Sequence, residues 1–378
     1  MLELLFLLLP VAAAYGYVMG KNSAKNQAHE QNRIITSEYS KGLKYLLDRE
    51  EDQGLEHLIK LLEVSADTVE HYLTLASLFR KRGELDRAIK IHELLLKQPS
   101  LANEDLATNR LELALDYIMA GMLDSAEEHL VVLIKSGHNE AVDPILSLYS
   151  QLREWNKGVN MYEAHRNLFT KPQQLATIAN YYCEAGLEEK DGELIERAFR
   201  LKHRALRPLF ELGKAAFAKK DYVKSIYYWR ELATYQPVTV PLFIKDLEAS
   251  YHALNLDEQF DELIEELLCQ GGVLIRIKYC EVLVKNGEVE KAILFLTSSL
   301  KREPSIRGFS FLLQLLSRKQ DDMSDVLAQV DKLVRSYIAT KHEYQCRHCG
   351  FHSHTLYWLC PSCKHWETTL PAKGLDGY

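Results

Sequence analysis

A chain of 378 residues, 47% apolar and 26% charged, is long enough for more than one domain and rich enough in apolar residues to bury a core. This composition excludes a largely disordered protein. A net charge of −7 and a pI near 6.1, with no basic block in the body of the chain, argue against nucleic acid as a partner. The seven cysteines are an odd number, and Cys183, Cys269 and Cys280 fall inside apolar helical patterns, so a reducing compartment fits better than a disulfide framework.

Residues 1–20, MLELLFLLLPVAAAYGYVMG, are apolar except for Glu3. A helix of about twenty apolar residues matches the hydrocarbon thickness of a bilayer. A cleaved signal peptide would carry its positive charge ahead of the apolar run, with Ala12–Ala14 as the cleavage site. Here Lys21, Lys25 and Arg33 follow the run instead. A buried first helix would need a partner face, yet the next stretch, KNSAKNQAHEQNR, is polar. The expectation is one transmembrane anchor over residues 1–20 and a polar linker over 21–36. By the positive-inside rule, the bulk of the chain lies on the cytoplasmic side.

From about residue 37 to 335 the chain repeats itself. RGELDRAI at 82–89 returns as AGMLDSAE at 120–127, as NGEVEKAI at 286–293 and, more loosely, as KKDYVKSI at 219–226. Gly42, Tyr45, Gly54 and Leu58 are matched 34 residues later by Ala76, Phe79, Ala88 and His92. Small residues such as Ala76, Ala114 and Gly213 suit the close crossing of two antiparallel helices, and Phe79, Tyr117 and Leu283 fill the adjoining gap. Gly83, Gly121 and Gly287 suit a left-handed turn. Ala88, Ala126 and Ala292 suit close packing on the second helix, and Pro99, Pro237 and Pro304 mark the exits. One hairpin cannot bury its own apolar face, so the hairpins must stack. The pattern resembles the tetratricopeptide repeat, with eight or nine helix pairs, and the stretches around 140–205 and 306–335 join it by continuity. Repeats that grip acidic chaperone tails carry a Lys and an Asn four positions apart on the inner helix. Here those places hold Leu73/Ser77, Leu111/Leu115, Phe210/Lys214 and Ile277/Glu281, and Asn180 alone fits, with Ala176 as its companion. Such a clamp is disfavoured. No phosphate loop, nucleophile elbow or HExxH appears, so the chain is not read as an enzyme.

The stretch 342–368 holds two Cys-x-x-Cys pairs, Cys346/Cys349 and Cys360/Cys363, with ten residues between them. Two such pairs form a tetrahedral thiolate site for one ion, zinc or iron. Gly350 suits the tight turn after the first pair, and Tyr344, Phe351, Tyr357, Trp358 and Trp366 are expected to build a small core around the metal. His342, His348, His352, His354 and His365 lie near, but four cysteines already complete the shell. YQCRHCGF and LCPSCKHWE resemble the two knuckles of rubredoxin, with Lys364 where glycine is usual. A short tail, 369–378, follows. The expected fold class is all-α, a superhelical hairpin array with an N-terminal transmembrane helix and a small rubredoxin-like or zinc-ribbon domain.

Anchor, repeats and four-cysteine tail in this order are similar to the lipopolysaccharide assembly protein B family, over essentially the whole chain. That resemblance implies an adaptor at the cell inner membrane which regulates lipopolysaccharide biosynthesis. It would promote degradation of the deacetylase LpxC by the protease FtsH and gather synthesis and export proteins. The implied partners are FtsH, LpxC and inner-membrane lipopolysaccharide regulators, and a homodimer stays open. The resemblance places the family's metal ligands on Cys346, Cys349, Cys360 and Cys363. Two other readings are a membrane-tethered rubredoxin-type electron carrier and a general chaperone or secretion scaffold.

Overall fold

The computed structural model describes residues 69–98, 103–202, 205–319 and 324–378, with isolated positions before residue 69. The expected anchor, the linker and the first repeat copy lie, but for those positions, outside the described residues. Among the described residues no helix is long and apolar enough to cross a membrane. The chain divides into two compact units, Met1–Ala141 and Val142–Tyr378.

In the first unit, α1 (Val69–Arg82) and α2 (Leu85–Leu96) form one hairpin, and α3 (Asn103–Ala120) and α4 (Leu123–Lys135) form the next. Tyr72, Ala76, Phe79, Ala88, Ile91 and Leu95 make a core between α1 and α2. Ala76 and Ala88 are fully buried, as the close crossing requires. Polar groups tie the hairpins together. Arg80 on α1 reaches α3, where its Nη1 lies 2.6 Å from Glu112 Oε2 and its Nε pairs with Asp116. His92 on α2 meets Asn109 of α3 at 2.7 Å, and the Asn109 amide donates back to the His92 carbonyl at 2.9 Å.

The second unit holds six further helix pairs: α5 (Val142–Leu152) with α6 (Trp155–Ala164), α7 (Pro172–Glu188) with α8 (Gly192–Leu201), α9 (Leu206–Ala218) with α10 (Tyr222–Tyr235), α11 (Ile244–Ala253) with α12 (Asp257–Leu267), α13 (Val273–Lys285) with α14 (Val289–Arg302), and α15 (Ile306–Lys319) with α16 (Ser324–Ala339). A 3-10 segment, Pro237–Leu242, joins α10 to α11. Within each unit successive helices pack on each other, and first helices touch first helices: α1 on α3 in the first unit, α5 on α7, α7 on α9 and α13 on α15 in the second. That is the layering of a tetratricopeptide-like array.

One turn geometry recurs within the hairpins. After the first helix comes a residue with φ between 56° and 82°: Gly83, Gly121, Arg153, Lys190, Lys220, Asn255 and Gly287. Each time the next backbone N–H donates to the carbonyl five residues back, as in Glu84 to Phe79 at 3.0 Å, Glu154 to Tyr149 at 3.0 Å and Glu288 to Leu283 at 2.8 Å. These bonds satisfy carbonyls that a helix end would otherwise leave bare. At the third hairpin of the second unit Gly213 makes room for Trp229, since a Cβ there would lie 2.3 Å from the indole nitrogen.

After α16 the chain forms a three-stranded antiparallel sheet in the order β2-β1-β3, from β1 (Tyr344–Cys346), β2 (His352–Ser353) and β3 (Thr369–Pro371). Gln345 faces His352 on one side and Leu370 on the other. The segment read from sequence as a tail therefore begins as a sheet strand, and β3 packs on Pro237–Leu242.

Candidate metal centre

Each Cys-x-x-Cys pair sits in a knuckle, and the two knuckles use the same backbone bonds. Gly350 N–H donates to Cys346 O and Lys364 N–H to Cys360 O, both at 3.0 Å, while Cys346 N–H donates to Phe351 O at 2.7 Å and Cys360 N–H to His365 O at 3.0 Å. The turn needs a left-handed residue, supplied by Gly350 at φ 79° and by Lys364 at φ 58°. The lysine that departs from the glycine pattern thus adopts the conformation glycine would take.

The knuckles bring the four predicted sulfurs within 4.8 Å of one another. Cys346 Sγ lies 3.7 Å from Cys363 Sγ, and Cys349 Sγ 3.7 Å from Cys360 Sγ. A metal–sulfur bond of about 2.3 Å puts the corners of a tetrahedron about 3.8 Å apart, so this arrangement fits one tetrahedral ion. Burial opposes ionisation of Cys346, but the Thr368 hydroxyl at 3.3 Å and the backbone N–H groups of Cys349 and His348 outweigh it, bringing the thiol down to about 6. The Phe351 backbone N–H pulls Cys349 below its ordinary value as well. Cys346 and Cys360 are buried, Cys349 is exposed and Cys363 is half-buried. Of the nearby histidines, His348 and His365 stack with ring centroids 3.7 Å apart beside Cys363. The His365 Nδ1 lies 2.8 Å from the Cys363 carbonyl. His342, His352 and His354 form a separate group, in which the His354 and His352 rings lie 4.6 and 5.8 Å from that of His342.

The two tryptophans correct one expectation. Rather than building a core inside the ribbon, Trp358 and Trp366 point into the repeats. Trp366 packs edge-on against Trp155 of α6 at 5.7 Å and Tyr181 of α7 at 6.0 Å. Trp358 lies 5.4 Å from Phe210 of α9. Arg207, at the start of α9 and 2% exposed, stands over both indoles at 5.5 and 5.8 Å. Its guanidinium meets Glu184 at 3.0 Å and Glu211 at 3.9 Å. From the ribbon, Glu367 accepts from the Arg207 backbone N–H at 3.3 Å and from Asn180 Nδ2 at 3.2 Å. Leu370 joins the apolar core shared by α9 to α13. Burial raises the Glu211 carboxyl above the usual range, against the pull of Arg207 and of a hydrogen bond from Trp358.

Asn180 and Phe210, two of the inner-helix places where a chaperone clamp would sit, are thus taken by the chain's own ribbon. Sequence reasoning did not find Arg207, Glu211 or Glu367. No break in the repeat pattern marked them: Arg207 and Glu211 fall at the places of Glu70 and Thr74 in the copy at α1, which are polar as well, and Glu367 lies in the ribbon.

The metal-binding end matches a known family model, rubredoxin metal binding domain, over residues 344–369. Lipopolysaccharide assembly protein B of Escherichia coli strain K12 is 31% identical across 100% of both chains. The chain belongs to the lipopolysaccharide assembly protein B family. The Haemophilus influenzae member of that family is 29% identical, again over 100% of each chain. Among solved structures, a tetratricopeptide repeat protein from Parabacteroides merdae is 15% identical, covering 66% of this chain and 99% of its own, with a TM-score of 0.35.

Proposed function

We propose that this chain is a scaffold in lipopolysaccharide assembly, held at the inner membrane by residues 1–20, with its repeats on the cytoplasmic side. The observation that carries the reading is the alignment with relatives of that name, which runs through repeats and metal ribbon alike over 100% of both chains. On this reading Cys346, Cys349, Cys360 and Cys363 hold one ion, zinc, or iron as the alternative. The ion's task is structural: it closes the two knuckles and so presents Trp358, Trp366 and Glu367 to α7 and α9. A rubredoxin-type electron carrier would need iron whose redox state alters function. The finer proposal is that the scaffold brings LpxC to FtsH for proteolysis and answers to inner-membrane lipopolysaccharide regulators. Anchoring would raise its effective concentration near a membrane protease.

The test is complementation of an Escherichia coli strain depleted of its own family member. Expression of the full chain is expected to restore growth and shorten the half-life of LpxC. Removing residues 1–20, or replacing the four cysteines by serine, is expected to abolish both. Restored growth with an unchanged LpxC half-life would refute the proteolytic role, and full activity of the truncated chain would refute the anchor. Elemental analysis of the purified protein decides between zinc and iron.

A further inference from the structure

Beyond β3 the chain turns back over the repeats and closes one side of a cavity of about 850 Å³. The other walls are the Pro237–Leu242 segment, the turn before α13 and the turn between α14 and α15. Pro237, Pro241, Pro304 and Pro371 line it, each with φ fixed by its ring. Cβ atoms at Gly271 and Gly272 would fall 2.5 Å from Ile275 and 2.6 Å from the Tyr378 backbone. The walls are therefore close-packed and preformed, which lowers the entropic cost of binding.

The charge of the lining is one-sided. Arg276 from α13, Arg302 from the end of α14 and Lys373 from the returning segment line it with one acidic side chain, Glu303, and with the main-chain carboxylate of Tyr378. Arg276 is paired with Glu303 at 2.5 Å. Arg302 and Lys373 are exposed and have no carboxylate partner among the described residues. Nor, among those residues, do the backbone N–H groups of Lys373, Gly374 and Leu375 find a backbone acceptor. A cavity with two cations outside any ion pair among the described residues stands out on a chain of net charge −7. Because Arg302 and Lys373 come from separate elements, they suit carboxylates spaced along a chain better than one compact anion. Val238, Val273 and Leu375 add apolar wall between them.

We propose that this cavity binds an extended acidic peptide segment of a partner protein. The proposal rests on the scaffold reading, but it can be tested apart from any role in lipopolysaccharide assembly. Cys269 is exposed and lines the cavity, whereas Cys183 and Cys280 are buried, so its alkylation by a maleimide reports on occupancy in the metal-loaded chain. The probes are synthetic peptides with alternating Glu and Leu, with Lys–Leu and Ser–Leu counterparts. The Glu–Leu peptide is expected to protect Cys269, and the R302E/K373E variant to weaken that protection by about tenfold, since like charges repel across an interface. An unchanged melting curve would show that the variant folds. Three results would each overturn the proposal: no protection by the acidic peptide, equal protection by the Lys–Leu peptide, or protection that survives the charge reversals. Protection by pyrophosphate at matched ionic strength, equal to that of the peptide, would assign the cavity to phosphate and also overturn it. Complementation in cells with none of these peptide effects would leave the scaffold reading standing and remove this one.

Discussion

Arg207→Leu is the most informative single change. It removes the cation above both ribbon indoles and strands Glu211, which is 6% exposed, without its nearest positive charge. Breaking a buried ion pair from one side costs about 3–5 kcal/mol. Removing each cation–π interaction adds about 0.5–2 kcal/mol. A destabilisation of about 4–9 kcal/mol is therefore expected between ribbon and repeats. Three of the four tryptophans, Trp155, Trp358 and Trp366, meet at this junction, so urea titration followed by fluorescence reads undocking, and far-UV circular dichroism reads the helices. The fluorescence transition should move to lower urea ahead of the helical one. The sign of the pH effect follows from Glu211. Burial raises its carboxyl in the folded state, so the native chain holds the proton to higher pH than the unfolded chain does. Stability from this group is full below the ordinary carboxylate range and declines as pH rises through the raised value. Arg207 opposes that rise, so without it the penalty at neutral pH grows, and the deficit of the variant should shrink on acidification. The double variant Arg207→Leu/Glu211→Leu should recover part of the stability, with a coupling of about 1–3 kcal/mol. A single-variant cost below about 1 kcal/mol, or strict additivity of the pair at every pH, would refute the electrostatic account.

Serine at Cys346, Cys349, Cys360 and Cys363 should release one equivalent of metal and shift tryptophan emission to the red as Trp358 and Trp366 become solvated, and unshifted emission would show that docking needs no ion. Gly213→Ala forces a methyl group into the Trp229 indole, and overpacking of this kind costs about 1–3 kcal/mol, readable as a lowered Tm. Gly287→Ala meets no neighbour within 4 Å but must hold φ at 82°, which costs about 1–2 kcal/mol, so a neutral result in urea melts would count against the left-handed turn.

Legibility from sequence followed the side chains that the local backbone itself demands. Gly83, Gly121 and Gly287 announced their turns because glycine is the least strained residue with positive φ. The same turn is carried by Arg153, Lys190, Lys220 and Asn255, which bear a local conformational penalty that neighbouring packing offsets, so the stretch around 140–205 looked degenerate while folding like the rest. In the ribbon, Lys364 stands where glycine is usual and carries the same left-handed turn as Gly350.

The sequence by itself determined the repeat, the small residues at helix crossings and the four sulfurs in two knuckles. These depend on spacing along a few turns of chain, which residue type and periodicity encode directly. Only the tertiary structure decided that Trp358, Trp366, Glu367 and Leu370 leave the ribbon to meet Asn180, Arg207 and Phe210, and that the chain beyond β3 walls a basic cavity. Those partners are up to 187 residues apart. Their meeting is set by how the stacked hairpins present α7 and α9 to the ribbon, a relation between surfaces that no local pattern of residues carries.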